Sequence, residues 1–406
     1  MTAPSEAKWI ERADVYKGDR VAGTIVRTAS GTEFAYDDTY IAEAGRPVAS
    51  TLPIRSNPYI TGSGALPPFF TGLLPEGARL QAVIRAVGTS ADDELSLLLA
   101  VGSDTVGDVR ILPEGTLPPQ PSDNLPSDPS QVQFRQLFAD ATDPDSDRLD
   151  AALPGVQDKI SDSMISFHIR RSRRAAILKL DPADYPLITR NENFFLTVAK
   201  SAGFAVPAHE LVTDRDGETG LLVERFDRLT RPADSMIRIA QEDACQFLAR
   251  YPADKYRVSI NDIATKVVDL VTSPEAAVLD LTLQQAFAWM IGNGDLHAKN
   301  YSLQFRPDGL VAATPLYDIV STLPYPLRQN TALRLEGRDD NFTLAHFVGF
   351  AGRFGVPERL ITRRVANMVK GTEPYLSDIP TIGYDDLTSE RMEAEIRRRM
   401  DTLRHS

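Results

Sequence analysis

Asp295 and Asn300 stand five positions apart in the run Asn-Gly-Asp-Leu-His-Ala-Lys-Asn at residues 293–300. Phosphoryl transfer needs a carboxylate to orient the attacking hydroxyl, magnesium to bridge phosphates, and an Asn with a second Asp to hold that metal. The interval matches the Asp-to-Asn spacing of the protein-kinase catalytic loop. Asp318, in Leu-Tyr-Asp-Ile-Val-Ser at 316–321, follows a hairpin-like excursion, where the aspartate of the kinase Asp-Phe-Gly motif returns to the site. The three residues therefore read as one base and magnesium constellation. Alone, such a spacing is weak, because Asp and Asn are favoured in solvated turns. Its place after an apolar helix and before a strand and a second Asp favours chemistry. Inside the loop, His297 suits hydrogen bonding that shapes the turn better than proton transfer. Lys299 fits equally a contact with the transferring phosphate or a position facing water.

Lys179 lies mid-strand among Ile177, Leu178 and Leu180, where an unpaired ammonium is costly unless a carboxylate or phosphate meets it. Strand alternation offers the alternative of a wet face. With the acidic set in place, Lys179 becomes the natural ligand for ATP phosphates, and Glu192 on the next helix is its possible ion-pair partner. Glu224-Arg-Phe226 closes an apolar strand at a lobe junction, where hinge backbone hydrogen-bonds adenine. Asp227 then comes within reach of the ribose, although an Asp in a strand-ending turn is the ordinary explanation. Leu-Pro-Gly-Val-Gln-Asp-Lys at 153–159 is too poor in glycine to be a P-loop, so composition alone passes it as a surface turn. The basic run His-Ile-Arg-Arg-Ser-Arg-Arg at 168–174 is expected to be a solvated turn between two strands.

These residues need elements to hold them, and 406 residues with 42% hydrophobic content can build two or three domains. Residues 1–112 alternate short apolar runs with turn residues, with one helical stretch carrying Leu80, Val83 and Ile84, and read as a small α+β domain. Residues 113–130, with six prolines among Ser, Asp, Gly and Asn, read as a linker. Residues 131–230 supply strands at 175–180 and 220–226 with a helix at 191–202, the order of a kinase amino-terminal lobe. Residues 231–406 are mainly helical, with a buried helix at 281–291 and a solvated surface helix at 390–404.

Other classes are disfavoured. The single Cys245 rules out an intramolecular disulfide and any multi-cysteine zinc site. Neither a signal-peptide core nor a run of roughly 18 apolar residues is present, so the expectation is a cytoplasmic protein with no membrane contact. A net charge of −12 opposes indiscriminate binding to a phosphate backbone.

The chain resembles the HipA family, kinases of bacterial toxin-antitoxin modules. The markers are Phe69-Phe70 with Gly-Leu-Leu-Pro-Glu-Gly at 72–77, Pro-Gly-Val-Gln-Asp-Lys at 154–159, Val-Glu-Arg-Phe-Asp-Arg at 223–228, Gln-Glu-Asp at 241–243, residues 292–300, and Asp-Ile-Val-Ser at 318–321. The resemblance implies an α+β, two-lobed fold similar to protein and phosphatidylinositol kinases, with an added N-terminal β-rich subdomain and a mainly helical C-terminal lobe. It implies ATP and Mg2+ as cofactors and Ser/Thr phosphorylation of a protein, an aminoacyl-tRNA synthetase with the glutamyl enzyme first, arresting translation. It also implies a helix-turn-helix antitoxin of HipB type, with operator DNA reached only through that partner. By position, Asp295 is the implied base, Asn300 and Asp318 the metal ligands, Lys179 the phosphate ligand, and Glu224 with Phe226 the adenine hinge. Gly155, Val156, Gln157 and Lys159 belong to the implied nucleotide-covering loop. Family members often carry a serine just ahead of that glycine, whose autophosphorylation switches the kinase off. Here Ala152 stands three residues before Gly155 and has no hydroxyl, so that brake is absent unless Ser161 or Ser163 replaces it. Antibiotic and choline kinases share a similar Gly-Asp-x-His-x-x-Asn loop but not the 72–77 and 156–159 markers. A silent antitoxin-binding scaffold is the other rival, and the intact Lys179, Asp295, Asn300 and Asp318 argue against it.

Overall fold

The computed structural model describes residues 4–119, 128, 131–142, 165–171, 174–230 and 236–405. Strands β1 (Arg12–Lys17), β2 (Arg20–Thr28), β3 (Gly31–Tyr36), β4 (Tyr59–Gly62) and β5 (Val109–Pro113) form an antiparallel sheet in the order β4-β3-β2-β1-β5. In β3 the period of two is plain: Thr32, Phe34 and Tyr36 are buried and the residues between them are half-buried. Phe34 and Ile25 meet Val83 and Val87 of the Gly77–Val87 helix and Leu95 and Leu98 of the Glu94–Val101 helix in one core.

A second antiparallel sheet runs β6-β7-β9-β8, from β6 (Ile165–Arg171), β7 (Arg174–Leu180), β8 (His209–Thr213) and β9 (Thr219–Glu224). Alternation splits β7 between two environments. Ala176, Leu178 and Leu180 join a small core with Phe134, Leu137 and Phe167, while Ile177 and Lys179 face a cleft. The basic run departs from expectation, because residues 168–171 continue β6 and pair with β7 instead of forming a turn. Arg174 then opens β7, with its guanidinium on Glu224 at 2.8 Å. Ladder hydrogen bonds and Phe167 packing outweigh the local cost of clustered charge on strand edges.

The helix Ile188–Ser201 lies between this sheet and the largest core, to which it contributes Phe195, Leu196, Val198 and Ala199. At the centre of that core runs the helix Pro274–Ile291, buried almost all round, as its apolar circumference requires. Short β10 (Arg228–Thr230) and β11 (Met236–Arg238) pair with each other, and β12 (Ala240–Asp243) pairs with β13 (Ser302–Phe305), which pairs with β14 (Val311–Ala313). The terminal helix Asp386–His405 is not merely solvated. Met392, Ile396, Met400 and Leu403 form an inward stripe buried in the main core. Among the described residues no helix is long and apolar enough to cross a membrane.

Candidate active site

Helix Pro274–Ile291 ends at Gly292, whose left-handed φ of 72° turns the chain into the loop. The loop is wound by its own hydrogen bonds. The Asn293 N–H donates to the Ala288 carbonyl at 2.8 Å, the Asp295 N–H to Asn293 Oδ1 at 2.9 Å and the Asn300 N–H to the His297 carbonyl at 3.0 Å. Gly294 has no alternative, because a Cβ there would lie 2.2 Å from the Arg328 carbonyl oxygen. The N–H groups of Thr322 and Gly294 donate to the Gly292 carbonyl and to Thr322 Oγ1, so the segment after Asp318 is sewn to the loop.

Asp295 is buried, and the Tyr256 hydroxyl donates to its Oδ1 at 2.7 Å. The Tyr256 ring also meets His297 edge-on at 5.2 Å. His297, Lys299, Asn300 and Asp318 line a cleft with about 1240 Å³ of empty space between the sheet of β7 and β9 and the helical lobe. Asp295 sits beneath that surface, on the same short loop.

Lys179 is the electrostatic centre. Its ammonium donates to both Glu192 oxygens at 2.7 and 2.9 Å and to Asp318 Oδ1. The pairing with Glu192 expected from sequence is thus present, and the wet-face alternative for Lys179 is not. Burial alone would lower its pKa, but Asp318 and Glu192 outweigh that and hold the ammonium charged above its ordinary range. Burial pushes the Glu192 carboxyl up to about 7, with Lys179 pulling against the shift and the Asp318 charge adding to it. Asp318 adopts a left-handed φ of 52°, a conformation that surrounding contacts must impose. They are supplied by the neighbouring helix: Asn191 exchanges two hydrogen bonds with the Ser321 backbone at 3.0 and 2.8 Å.

Glu224 and Phe226 also line the cleft, as do Ile177, Val223 and Tyr317, which add apolar surface. The Phe226 carbonyl accepts from Gln304 Nε2 at 2.9 Å, and its ring meets Tyr317 at 5.5 Å. Asp227 also lines the cleft, and its carboxylate is already engaged there. Its carboxylate accepts from Arg225, Arg228 and the Gly107 N–H, at distances from 2.7 to 2.9 Å. Burial opposes the charge, yet the two guanidinium groups hold this carboxyl far below its usual range. Oδ2 joins the hinge to the first domain through the Gly107 N–H, while Oδ1 accepts from Arg225 within the hinge.

Lys299 is half-buried at the cleft and already paired. It donates to Glu76 Oε1 at 2.9 Å, and Lys255 donates to Glu76 Oε2 at 2.9 Å. Glu76, Tyr256, Lys255 and Asn191 were missed as site residues. Only Glu76 carried a signal, as part of the Leu-Leu-Pro-Glu-Gly run. Gly155, Val156, Gln157 and Lys159, with Ala152, Ser161 and Ser163, lie outside the described residues.

Asp318 and Asn300 both line the cleft and offer oxygen donors, a set suited to a hard cation that takes its other ligands from phosphates and water. Among the described residues no group of three or more His, Cys, Asp or Glu side chains forms an all-protein metal cage.

Residues 151–375 match the model of the HipA-like C-terminal domain, and residues 13–112 that of the HipA N-terminal domain. The chain is 32% identical over 386 residues to the Y4mE protein of Sinorhizobium fredii, covering 88% of this chain and 89% of that one. It is 26% identical over 400 residues to the serine/threonine-protein kinase toxin HipA of Shewanella oneidensis, covering 90% and 88%. The fold is similar to that of the HipA chain in the Shewanella oneidensis complex of HipA, HipB and operator DNA, with a TM-score of 0.77, 21% identity and coverage of 96% and 97%. Two matching domain models and a relative spanning nearly the whole length lead to one conclusion: the chain belongs to the HipA family.

Proposed function

We propose that the chain is an ATP-dependent protein kinase that phosphorylates a serine or threonine hydroxyl and serves as the toxin of a toxin-antitoxin pair. The observation that carries this reading is Lys179, buried in a strand, shared between Glu192 and Asp318, and lining the cleft that Asn300 also lines. Buried ammonium groups are costly unless fully paired. A lysine bridging a helix glutamate and a metal-type aspartate is the arrangement a nucleotide kinase needs.

Adenine would occupy the slot between Val223 and Tyr317, hydrogen-bonded by backbone at 224–226. Lys179 would donate to the phosphates, with Glu192 keeping its ammonium aimed into the cleft. Asp318 and Asn300 would hold magnesium, which supplies charge neutralisation across the phosphates when bound. Asp295, fixed by Tyr256, would orient the acceptor hydroxyl and take its proton. Lys299 would face the transferred group. Residues 155–159 would cover the nucleotide.

The named relatives support the kinase reading and the toxin role, and the structural likeness to HipA in complex with HipB supports a helix-turn-helix antitoxin as partner, with DNA contacted through it. An aminoacyl-tRNA synthetase, the glutamyl enzyme first, is the proposed substrate, with arrested translation and dormancy as the outcome in the cytoplasm. Brief expression followed by phosphoproteomics tests the target: a new phosphoserine or phosphothreonine on a synthetase is expected. Growth arrest without any new protein phosphorylation would refute the proposal.

A further inference from the structure

The run Gly-Leu-Leu-Pro-Glu-Gly at 72–77 belongs to the N-terminal domain, yet Gly72, Leu73 and Glu76 line the cleft. Its seat is tight. Gln246 Nε2 donates to the Phe69 carbonyl at 2.9 Å, and a Cβ on Gly72 would lie 2.8 Å from Gln246 Cγ. Glu76 ends this segment, 4% exposed, with one oxygen on Lys255 and the other on Lys299. Lys255 is itself 1% exposed, and its carbonyl accepts from the Ala298 N–H at 3.0 Å. The Ala298-Lys299 step is therefore hooked twice to one Lys255–Glu76 pair.

We propose that Glu76 is a positioning residue of the phosphoryl-transfer site, holding the Lys299 ammonium at the cleft beside Asn300, so that the loop is complete only when the N-terminal domain is docked. The inference rests on the kinase reading. A lysine head sits on a flexible four-carbon stem, and fixing it before substrate arrives removes a reorganisation cost from the transfer step. Docking alone would need only Lys255. A second lysine, on the loop itself and at the cleft surface, is what a role in positioning adds. Burial opposes the charge on Glu76, but Lys299 and Lys255 outweigh it and hold the carboxyl down at about 2, so it stays ionised through the working range of pH.

The test uses the full chain with Glu76→Gln, Glu76→Asp, Lys299→Met and the double variant Glu76→Gln/Lys299→Met. Turnover of Mg·ATP is read as kcat and KM, and Lys299 reactivity by mass spectrometry after brief treatment with an acetylating ester. Glu76→Gln should lower kcat roughly 30-fold and move KM for ATP less than about threefold. Glu76→Asp should recover part of the loss, and the double variant should be no slower than Lys299→Met alone. Lys299 should acetylate at least about tenfold faster in Glu76→Gln than in the parent. A kcat within twofold of the parent, losses that multiply in the double variant, or unchanged Lys299 reactivity would each overturn the proposal. Should Glu76→Gln fail to fold, Glu76→Asp is judged by the same two readouts. Should the parent chain not turn over ATP, the kinase reading fails and the positioning role falls with it, whereas an active parent with an unaffected Glu76→Gln overturns the positioning role alone.

Discussion

Tyr256 donates through its hydroxyl to Asp295 Oδ1 at 2.7 Å, in a part-buried setting. Removing that hydroxyl should cost about 1 kcal/mol of stability, the usual net worth of one such bond. It should cost more in turnover, because an unfixed carboxylate spends less time in the reactive pose. We therefore expect Tyr256→Phe to keep its fold by thermal melting and to lose roughly tenfold in kcat with KM for ATP little changed. Equal kcat in the two proteins would remove Tyr256 from the site. That Lys179, Asn300 and Asp318 share one cleft, with Asp295 beneath it, was legible as an expectation, because their types and spacing match what phosphates, magnesium and a hydroxyl would require. Tyr256 was not, since a tyrosine in a polar loop carries no spacing rule. The ion pairs of Asp227 were not legible either: a turn aspartate near a hinge suggests a ribose, and only the fold brings the Gly107 N–H to its Oδ2 beside Arg225 and Arg228.

At the level of elements, the loop at 293–300 depends on close backbone approach. Gly294→Ala would place a methyl 2.2 Å from the Arg328 carbonyl oxygen and 3.0 Å from that of Asn330, and backbone cannot yield as a side-chain tip can. A loss of roughly 2–3 kcal/mol in unfolding free energy is expected, read by urea titration; a change under about 0.5 kcal/mol would show the loop to be more yielding than its contacts imply. Long apolar elements were legible: the buried helix was read over 281–291 and spans Pro274–Ile291. The terminal helix shows how a signal can be hidden. Met392, Ile396, Met400 and Leu403 recur at helical spacing, but Glu and Arg crowd the positions between them and dominate the composition. The pairing of β12 with β13 was not legible, because it joins residues some sixty positions apart and nothing local encodes a partner.

Over the whole molecule, the N-terminal domain is joined to the rest by buried polar contacts: Ser50 donates to Glu242, Gln246 to Phe69, Lys255 and Lys299 to Glu76, and Gly107 to Asp227. Breaking a buried pair by removing one partner costs about 3–5 kcal/mol. Asp227→Asn should therefore lower the thermal midpoint and speed proteolysis, and an unchanged midpoint would mean that the arginines find other partners. Glu76 adds a pH dependence of definite sign. Its carboxyl is depressed from 4.5 to about 2, so its contribution is complete above the unfolded value and is lost as pH falls from about 5 toward 2. The size is on the order of 3 kcal/mol. Stability of the parent should fall more steeply than that of Glu76→Gln across this window, and parallel curves would contradict the assignment. Two lobes were legible from the order of strands and helices, whereas this seam was not, because it is made of single residues far apart in sequence. The central claim is ATP-dependent transfer to protein through Asp295. It is tested most directly by incubating the chain and its Asp295→Gln variant with γ-labelled ATP and a cell lysate, then separating proteins from small molecules. Label is expected on serine or threonine of protein with the parent chain and none with the variant; label on small molecules alone, or equal labelling by both, would contradict such transfer.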